Sequence, residues 1–401
     1  MNSMLPAPSP DALAHCQRVT AHLRTLIENA GGWMPFSRFM EAALYAPGLG
    51  YYAAGATKFG AAGDFVTAPE LTPLFGRTLA QAIAPVLVQT GGEVLELGAG
   101  SGRLAADMLG ELERLGALPA RYAILEVSAD LRERQQKTIA RVWPELAGRV
   151  HWLDTLPAHF RGVILGNEVL DALPVELVHW TEAGPLARGV TLVPQQAEAS
   201  KSVRPEPVEG RADFTWEDRP IADSVLRART EALKLAPGYL SEINLAADAL
   251  IASLAHALDH GLVLMIDYGF AAAEYYHPQR HMGTLRAHYR HHALDDPFYL
   301  PGLCDLTAHV DFSAVARAGM EAGLELTGYT SQANFLLNSG LTELLLQTSP
   351  ADAAAYLPQA NAMQRLVSPA EMGELFKVIG LSKGDVAPLA GFARGDRRHT
   401  L

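Results

Sequence analysis

Cysteine is scarce in this chain. Only Cys16 and Cys304 occur among the 401 residues, and they show neither the spacing of metal ligands nor that of a redox pair. This scarcity favours a reduced intracellular setting, although two cysteines can still pair if the fold brings them together.

Long hydrophobic runs are missing as well. No apolar run approaches the roughly 20 residues of a membrane span, and residues 1–10 lack the basic stretch followed by an apolar one that marks a secretory signal. Arg18 and Arg24 lie close to Asp11 and Glu28, which is unlike a transit peptide. We therefore expect a cytoplasmic protein without a membrane span.

Basic residues are fewer than acidic ones: the formal net charge is −12 and the isoelectric point is about 5.6. This balance argues against a general nucleic-acid binder, which normally carries a basic footprint, although it leaves room for a local basic pocket. With 49% hydrophobic and 19% charged residues, the composition is that of a globular protein with ample core. The length permits one large domain or two.

Residues 93–102 are the stretch around which the rest of the pattern is organised. A predicted strand runs into glycines at positions 98, 100 and 102, and a helix with apolar residues at helical spacing follows until Gly116. A dinucleotide fingerprint needs its third glycine where this chain has Arg103, and the Gly-Lys-Ser/Thr of a P-loop is absent. Such a turn can be purely structural. With Glu96 two residues before it, however, the G-x-G-x-G pattern is similar to the first motif of class I S-adenosylmethionine methyltransferases.

Two later predicted strands also end in acids. Glu126 lies 24 residues past Gly102, the position at which a carboxylate accepts hydrogen bonds from ribose hydroxyls in nucleotide folds. The alternative is a solvated acid at a strand end. Asp154 ends the next strand, where the adenine amino group lies in the methyltransferase arrangement.

Three polar residues follow the fourth predicted strand, Gly162–Gly166. Ligands of open α/β sheets gather beyond the carboxyl ends of the strands, so Asn167, Glu168 and Asp171 lie at the predicted reaction centre. They could instead cap a short helix. The Asn/Asp-Pro-Pro-aromatic run typical of nucleic-acid amino methyltransferases is absent, which counts against that class.

The alternation of strand and helix is interrupted twice. Residues 175–237 are predicted as an antiparallel excursion, and its segment 194–211, rich in Pro, Glu and Gly, is predicted to be a mobile surface insertion. Residues 275–307 are predicted to form a polar loop over the site. Its five histidines lack the spacing of a metal motif such as H-E-x-x-H, so no metal is predicted.

Six motifs occur together in the order seen in one family. They are Gly63–Glu70, Leu95–Gly102, Leu125–Ser128, Asn167–Val175, Ile266–Gly269 and Asp305–Phe312. The chain resembles the MidA-type methyltransferases, which include the mitochondrial complex I assembly arginine methyltransferase, over about Trp33–Ile379. The segment 194–211 departs from the family pattern.

The resemblance implies an α/β fold of class I methyltransferase (Rossmann-like) type. Its sheet would have seven strands with the last one antiparallel, in a domain at 91–390 behind a helical N-terminal segment at 1–90 that covers the active site. The implied cofactor is S-adenosyl-L-methionine. The residues assigned to it are Glu96, Gly98, Ala99, Gly100, Gly102, Glu126, Val127, Asp154 and Asn167.

For the acceptor, the resemblance implies a protein arginine. Glu168 and Asp171 would grip the guanidinium, and Asn167 would position the amino-acid end of the cofactor or the substrate. The residues assigned to the substrate side or to a lid are Asp64, Thr67, Tyr268, Arg286 and His291.

For the mitochondrial relative, the resemblance implies symmetric dimethylation of the 49 kDa-type subunit of NADH:quinone oxidoreductase. Two alternatives stay open: a methyltransferase of a small molecule or of another protein side chain, and an assembly factor that binds the cofactor with little turnover. The oligomeric state is not predicted.

Overall fold

The computed structural model describes residues 5–53, 67–193 and 213–401. The strands are β1 Trp33–Pro35, β2 Glu93–Leu97, β3 Tyr122–Leu125, β4 Val150–Leu153, β5 Phe160–Asn167, β6 Glu176–Thr181, β7 Gly184–Leu192, β8 Phe214–Pro220, β9 Leu240–Ile243, β10 Leu258–Phe270, β11 Arg286–Tyr289, β12 His292–Leu294, β13 Asp305–Thr307, β14 Val310–Asp311, β15 Glu325–Ser331 and β16 Phe376–Lys383. Asp64 and the segment 194–211 lie outside the described residues.

Helices separate most of these strands. They are α1 Pro10–Asn29, α2 Phe36–Tyr45, α3 Ala68–Leu71, α4 Pro73–Thr90, α5 Arg103–Arg114, α6 Ala129–Val142, α7 Ser224–Leu233, α8 Leu245–Ala257, α9 Ala272–Tyr275, α10 Phe312–Glu321, α11 Gln332–Asn338, α12 Leu341–Leu345, α13 Ala353–Val367 and α14 Met372–Leu375. In the part of the chain that the structure describes, no helix combines the length and the apolar character that crossing a bilayer requires.

The large sheet has the strand order β15-β16-β10-β5-β2-β3-β4. The central strands β10, β5, β2, β3 and β4 are parallel, and β16 runs antiparallel to both of its neighbours. Apolar side chains are buried on both faces, as a parallel sheet between helical layers requires. The predicted fold class and its antiparallel last strand are confirmed. The two-residue strand β14 pairs with the end of β10 and makes this an eight-stranded sheet.

The apolar pattern predicts a helix from about Glu70 to Val88 with a break near Pro85. That proline instead lies inside α4. The chain separates α3 from α4 at Thr72, whose backbone is extended and whose hydroxyl accepts a hydrogen bond from the Leu74 N–H at 3.3 Å. A capping threonine followed by proline at the first helical position is a typical helix start.

A second, antiparallel sheet follows β5 in the chain. Its order is β1-β7-β6-β9, and β8 also pairs with β7, along Leu186–Leu192. Strand β1 comes from the N-terminal segment, so this segment is joined to the excursion by main-chain hydrogen bonds at Trp33–Pro35.

Residues 275–307, expected to be a loop, contain a small sheet in the order β12-β11-β13. Its apolar residues share a core with α1, α2 and the antiparallel sheet. Phe39 shows how the regions meet, because its ring lies 5.4 Å from the ring of Phe214 and 5.4 Å from that of Phe298. Three segments that are separate in the sequence therefore form one lobe beside the large sheet.

Candidate active site

A cavity of about 850 Å³ opens where β2, β3, β5 and β10 end. The sequence-predicted residues that line it are Thr67, Glu96, Gly98, Ala99, Gly100, Glu126, Val127, Asn167, Glu168, Asp171, Tyr268 and Arg286. The predicted residues Gly102, Asp154 and His291 are not among its lining residues. The fold thus brings together side chains that are up to about 200 positions apart in the sequence, as the carboxyl-end rule for open sheets predicts.

The glycine turn forms one side of the cavity. Gly98, Gly100 and Gly102 have φ angles of 59°, 52° and 82°, a region that side chains disfavour. A Cβ atom on Gly98 would meet only the Val169 side chain, at 3.6 Å, so little of the protein itself fills the space above the turn. The turn ends at the first residue of α5, where backbone N–H groups and the helix dipole favour polar ligand groups.

Gly102 acts by packing and not by lining the cavity. A Cβ atom there would lie 2.9 Å from the Cα atom of Gln135, so only glycine lets α5 and α6 approach this closely. Gln135 is fully buried, and its Nε2 donates to the carbonyl of Gly100 at 3.1 Å and to Oε2 of Glu126 at 3.0 Å. Trp152 donates to its Oε1 at 2.8 Å. Gln135 therefore connects the ends of β2 and β3, and the sequence reasoning missed it.

A signal for Gln135 exists in the sequence. Leu131, Gln135 and Ile139 recur at intervals of four on the buried face of α6. An amide on an otherwise apolar helix face must find hydrogen-bond partners, and here the partners belong to the predicted cofactor site.

Glu126 ends β3 with a buried carboxylate. Besides the bond from Gln135, its Oε1 accepts the N–H of Ser128 at 2.9 Å, and burial raises its pKa above the usual value. Asp154 lies differently: its side chain is 88% exposed and forms an ion pair with Arg132 at 2.8 Å. Because the Asp154 carboxylate faces solvent, it is less suited to bind a ligand inside the cavity than Glu126, which lines the cavity.

The turn that follows β5 carries the three residues predicted for the reaction centre. Glu168 has a φ of 53°, which is rare for a residue with a side chain. Its carboxylate accepts a hydrogen bond from Nδ2 of Asn167 at 3.1 Å and another from the backbone N–H of Ala68 in α3. The Tyr268 hydroxyl donates to Oδ2 of Asp171.

The two carboxylates of this turn share one electrostatic setting. Burial, with a contribution from Asp171, raises the pKa of Glu168 to about 8. Burial also raises the pKa of Asp171, to about 6. Within the described ranges no lysine or arginine forms an ion pair with either group. Burying carboxylates without a cation is costly, so the site suits a positively charged ligand.

Two buried oxygen atoms of the same turn have no hydrogen-bond partner among the described residues. They are Oδ1 of Asn167 and Oδ1 of Asp171. Buried acceptors are nearly always paired in folded proteins. A bound ligand with N–H or ammonium donors would pair both.

Two tyrosines, Tyr45 and Tyr52, form an aromatic part of the cavity wall that was not predicted from the sequence. The rings of Tyr45 and Tyr52 stack with their centroids 5.4 Å apart. The Tyr45 hydroxyl donates to the carbonyl of Ala172 at 2.9 Å, and that of Tyr52 donates to Oδ2 of Asp305 at 2.9 Å. Tyrosines in the aromatic loop at 45–52 and an acid at the start of the Asp305–Phe312 motif were the available signals.

The histidine and arginine expected in the lid separate in the structure. Arg286 lies at the cavity on β11, whereas His291 is exposed and has a φ of 65°. His309 lines the cavity instead, with its ring 5.2 Å from that of Tyr268, and burial lowers its pKa to about 4. Over residues 5–53, 67–193 and 213–401, no cluster of three or more His, Cys, Asp or Glu residues is arranged to hold a metal ion.

Residues 76–330 match the model of a family of S-adenosyl-L-methionine-dependent methyltransferases. This match covers more than half of the chain. The chain belongs to that family.

A solved structure agrees with this methyltransferase assignment. A COG1565 superfamily member from Burkholderia thailandensis, bound to S-adenosylhomocysteine, is 50% identical and superposes with a TM-score of 0.92 over 99% of this chain and 100% of that chain. Curated relatives are more distant. Protein arginine methyltransferase NDUFAF7 of Danio rerio is 28% identical over 90% of this chain and 89% of its own length, and that of Homo sapiens is 28% identical over 90% and 82%.

The relatives correct one expectation. We expected a cytoplasmic location, but the curated relatives are named mitochondrial, which contradicts it. The expectation was the default that follows when no targeting segment is recognised in the sequence, and such a default does not identify a compartment.

The cofactor of this methyltransferase is S-adenosyl-L-methionine, and the cavity has features that fit it. The glycine turn leaves open space for a ligand against its backbone, and the buried carboxylate of Glu126 stands at the adjacent strand end. The unpaired Oδ1 of Asn167 offers an acceptor for an ammonium group. Polar groups for the sugar and for the amino-acid end are therefore present on two different strand ends.

Proposed function

We propose that this methyltransferase transfers methyl groups to an arginine side chain of a protein. The observation that carries the proposal is the pair of carboxylates, Glu168 and Asp171, in a cavity where no described lysine or arginine neutralises them. A guanidinium supplies a delocalised positive charge and several N–H donors in one plane. The names of the curated relatives, which are protein arginine methyltransferases, support the same acceptor.

The bound cofactor supplies a methyl carbon that is already electrophilic, so the chain's task is alignment for an in-line displacement. In the proposed arrangement, Glu126 holds the ribose and the glycine turn admits the nucleoside. Asn167 holds the amino-acid end of the cofactor or the substrate through its Oδ1 atom. Thr67, Tyr268 and Arg286 lie at the cavity where the substrate would enter.

Glu168 and Asp171 act on the acceptor. A guanidinium is a poor nucleophile because it is protonated and delocalised. Carboxylates that bind it in bidentate fashion fix its plane and concentrate electron density on the attacking nitrogen. As the new C–N bond forms, that nitrogen must lose one proton, and Glu168 is the carboxylate placed to accept it.

We further propose the 49 kDa-type subunit of respiratory complex I as the acceptor protein, in line with the family resemblance. The test is mass spectrometry of this subunit from cells with and without the protein. A methylated arginine peptide should be found only in cells that contain it. If the subunit is identical in both, the acceptor is another molecule. Labelling of cell extract with purified protein and radioactive cofactor then separates a protein acceptor from a small molecule by product size.

A further inference from the structure

Asp267 is a buried acid to which the reaction outlined above assigns no task. It lies near the end of β10, is fully buried, and does not line the cavity. Its Oδ2 accepts three backbone N–H groups from the turn after β5: those of Val169 at 3.2 Å, Leu170 at 2.9 Å and Asp171 at 3.2 Å. Three consecutive amides therefore converge on one oxygen atom.

The residues on either side of Asp267 bind the same turn. The carbonyl of Ile266 accepts the N–H of Glu168 at 2.9 Å. The hydroxyl of Tyr268 donates to the Asp171 carboxylate, and the Tyr268 N–H donates to Oδ1 of Asp267 at 2.9 Å. The end of β10 thus holds both the backbone and a side chain of the turn.

The turn held in this way contains a backbone outlier. Glu168 is one of five non-glycine residues with positive φ among the described residues, and the only one of the five that lines the cavity. A residue with a side chain is strained in the left-handed region and stays there only when its surroundings enforce it. The amides at positions 169–171 follow directly, and their convergence on Asp267 fixes the direction in which the chain leaves Glu168.

We infer that Asp267 is a positioning residue, which holds Glu168 in the left-handed conformation that aims its carboxylate at the acceptor. The expected effect of Asp267 on turnover rests on the proposed function. The expected effect on the conformation of Glu168 does not depend on it. Asp267 has no contact with the cavity, so its influence on methyl transfer passes through the turn. The two oxygens of Asp267 accept four backbone N–H groups, and an amide in its place has only one oxygen, so some of these buried N–H groups would lose their acceptor and the hold on Glu168 would weaken.

The variant that tests this is Asp267→Asn, which keeps the size and replaces one acceptor oxygen with an NH2 donor group. We expect kcat for methyl transfer to fall by about 10- to 100-fold, because a displacement of about 1 Å in a reacting group has an effect of this size. Affinity for S-adenosylhomocysteine should stay within a few-fold by calorimetry. The double variant Glu168→Gln/Asp267→Asn should be no slower than Glu168→Gln alone, since one residue acts through the other.

Asp311→Asn is the matched control. Asp311 is also a buried aspartate that accepts consecutive backbone N–H groups, from Ser313 at 3.0 Å and Ala314 at 3.1 Å, but it caps α10 outside the cavity. An equal loss of kcat in Asp311→Asn would mean that the effect is a general loss of stability, and would overturn the inference.

A crystal structure of Asp267→Asn gives a readout that needs no substrate. Glu168 should leave the left-handed region; if its φ stays near 53°, the positioning role is refuted whatever the acceptor is. If Asp267→Asn does not bind S-adenosylhomocysteine, Asp267→Glu, which keeps the charge but displaces it, serves for the same comparison. If the unaltered protein transfers no methyl group to arginine, the proposed function is refuted. The comparison of the Glu168 φ angle between the unaltered protein and Asp267→Asn still tests the positioning role.

Discussion

At the scale of single residues, the chemistry depends on carboxylates that are buried before any ligand arrives. Glu168 receives hydrogen bonds from Asn167 and Ala68 but no cation, and its pKa is about 8 as a result of burial. Since no described lysine or arginine is paired with it, this group is mainly neutral at pH 7, and a guanidinium would convert it to the charged form. Binding and ionisation are linked.

Glu168→Gln tests the grip on the acceptor. The amide keeps the shape of the side chain but cannot concentrate electron density on the attacking nitrogen, so we expect transfer to fall by at least about 100-fold, the scale of losing one electrostatic contact to the transition state. Affinity for S-adenosylhomocysteine, measured by calorimetry, should be largely unchanged. Glu145→Gln, at an exposed position, is the control. Normal turnover in Glu168→Gln would show that other residues bind the guanidinium.

The raised pKa of Glu168 predicts proton release on substrate binding. At pH 7, below its pKa of about 8, the group is mostly protonated, and a bound cation lowers that pKa. Binding of an arginine peptide should therefore release close to one proton at pH 7 and almost none at pH 9. Calorimetry with S-adenosylhomocysteine present, in two buffers of different ionisation heat, measures this number. Identical heats in the two buffers at pH 7 would show that Glu168 is already charged.

The position of a residue at the cavity was predictable where a strand end and a polar side chain coincide in the sequence. Asn167, Glu168 and Asp171 could be placed at the cavity because they follow an apolar strand. Tyr45 and Asp305 could not, because they reach the cavity from a separate lobe whose position no local pattern encodes. The cofactor and acceptor roles of all of these residues remain predictions.

At the scale of elements, the site is the junction of β2 with α5 and of β3 with α6. The glycine turn brings the backbone to the ligand, and Gln135 of α6 connects that turn to Glu126. The large strands were predictable because their apolar runs are continuous. The strands β11–β13 were not, since three or four residues each are too few to establish a strand pattern.

Gly100→Val tests the glycine turn as an element. Valine is strained at a φ of 52°, and its side chain would occupy the space that the ligand needs, so affinity for S-adenosylhomocysteine should fall by at least about 100-fold. Gly116→Val is the matched control: it has a φ of 66° at the other end of α5, and a Cβ atom there would contact nothing within 4 Å. Calorimetry should find Gly116→Val near normal. Unchanged affinity in Gly100→Val would refute the placement of the cofactor.

At the scale of the whole molecule, the large sheet and the second lobe supply different parts of the cavity lining. In the proposed function, the sheet side binds the cofactor and the lobe side closes over the acceptor. That lobe joins α1, α2, the antiparallel sheet and β11–β13 around one core. Sequence reasoning treated these parts separately, because nothing in any one segment indicates that it will share a core with the others. Only the tertiary fold brings Tyr52 to Asp305.

Phe39→Ala tests the unity of this lobe. The ring is fully buried against Phe214 and Phe298, so its loss should reduce the free energy of unfolding by about 3–5 kcal/mol. Denaturant unfolding followed by both fluorescence and circular dichroism should give one shared transition at a lower midpoint. A change confined to one probe would mean that the N-terminal segment unfolds independently of the rest.

The measurement that tests the central claim most directly is the chemical identity of the methylated product. The purified protein would be incubated with radioactive S-adenosyl-L-methionine and the 49 kDa-type subunit, and the labelled protein would be hydrolysed to amino acids and separated by chromatography. Our account predicts that the label appears as methylated arginine, and that Glu168→Gln yields almost none. Label recovered on lysine, on a carboxyl group or on a small molecule would contradict the assignment of the acidic turn to a guanidinium.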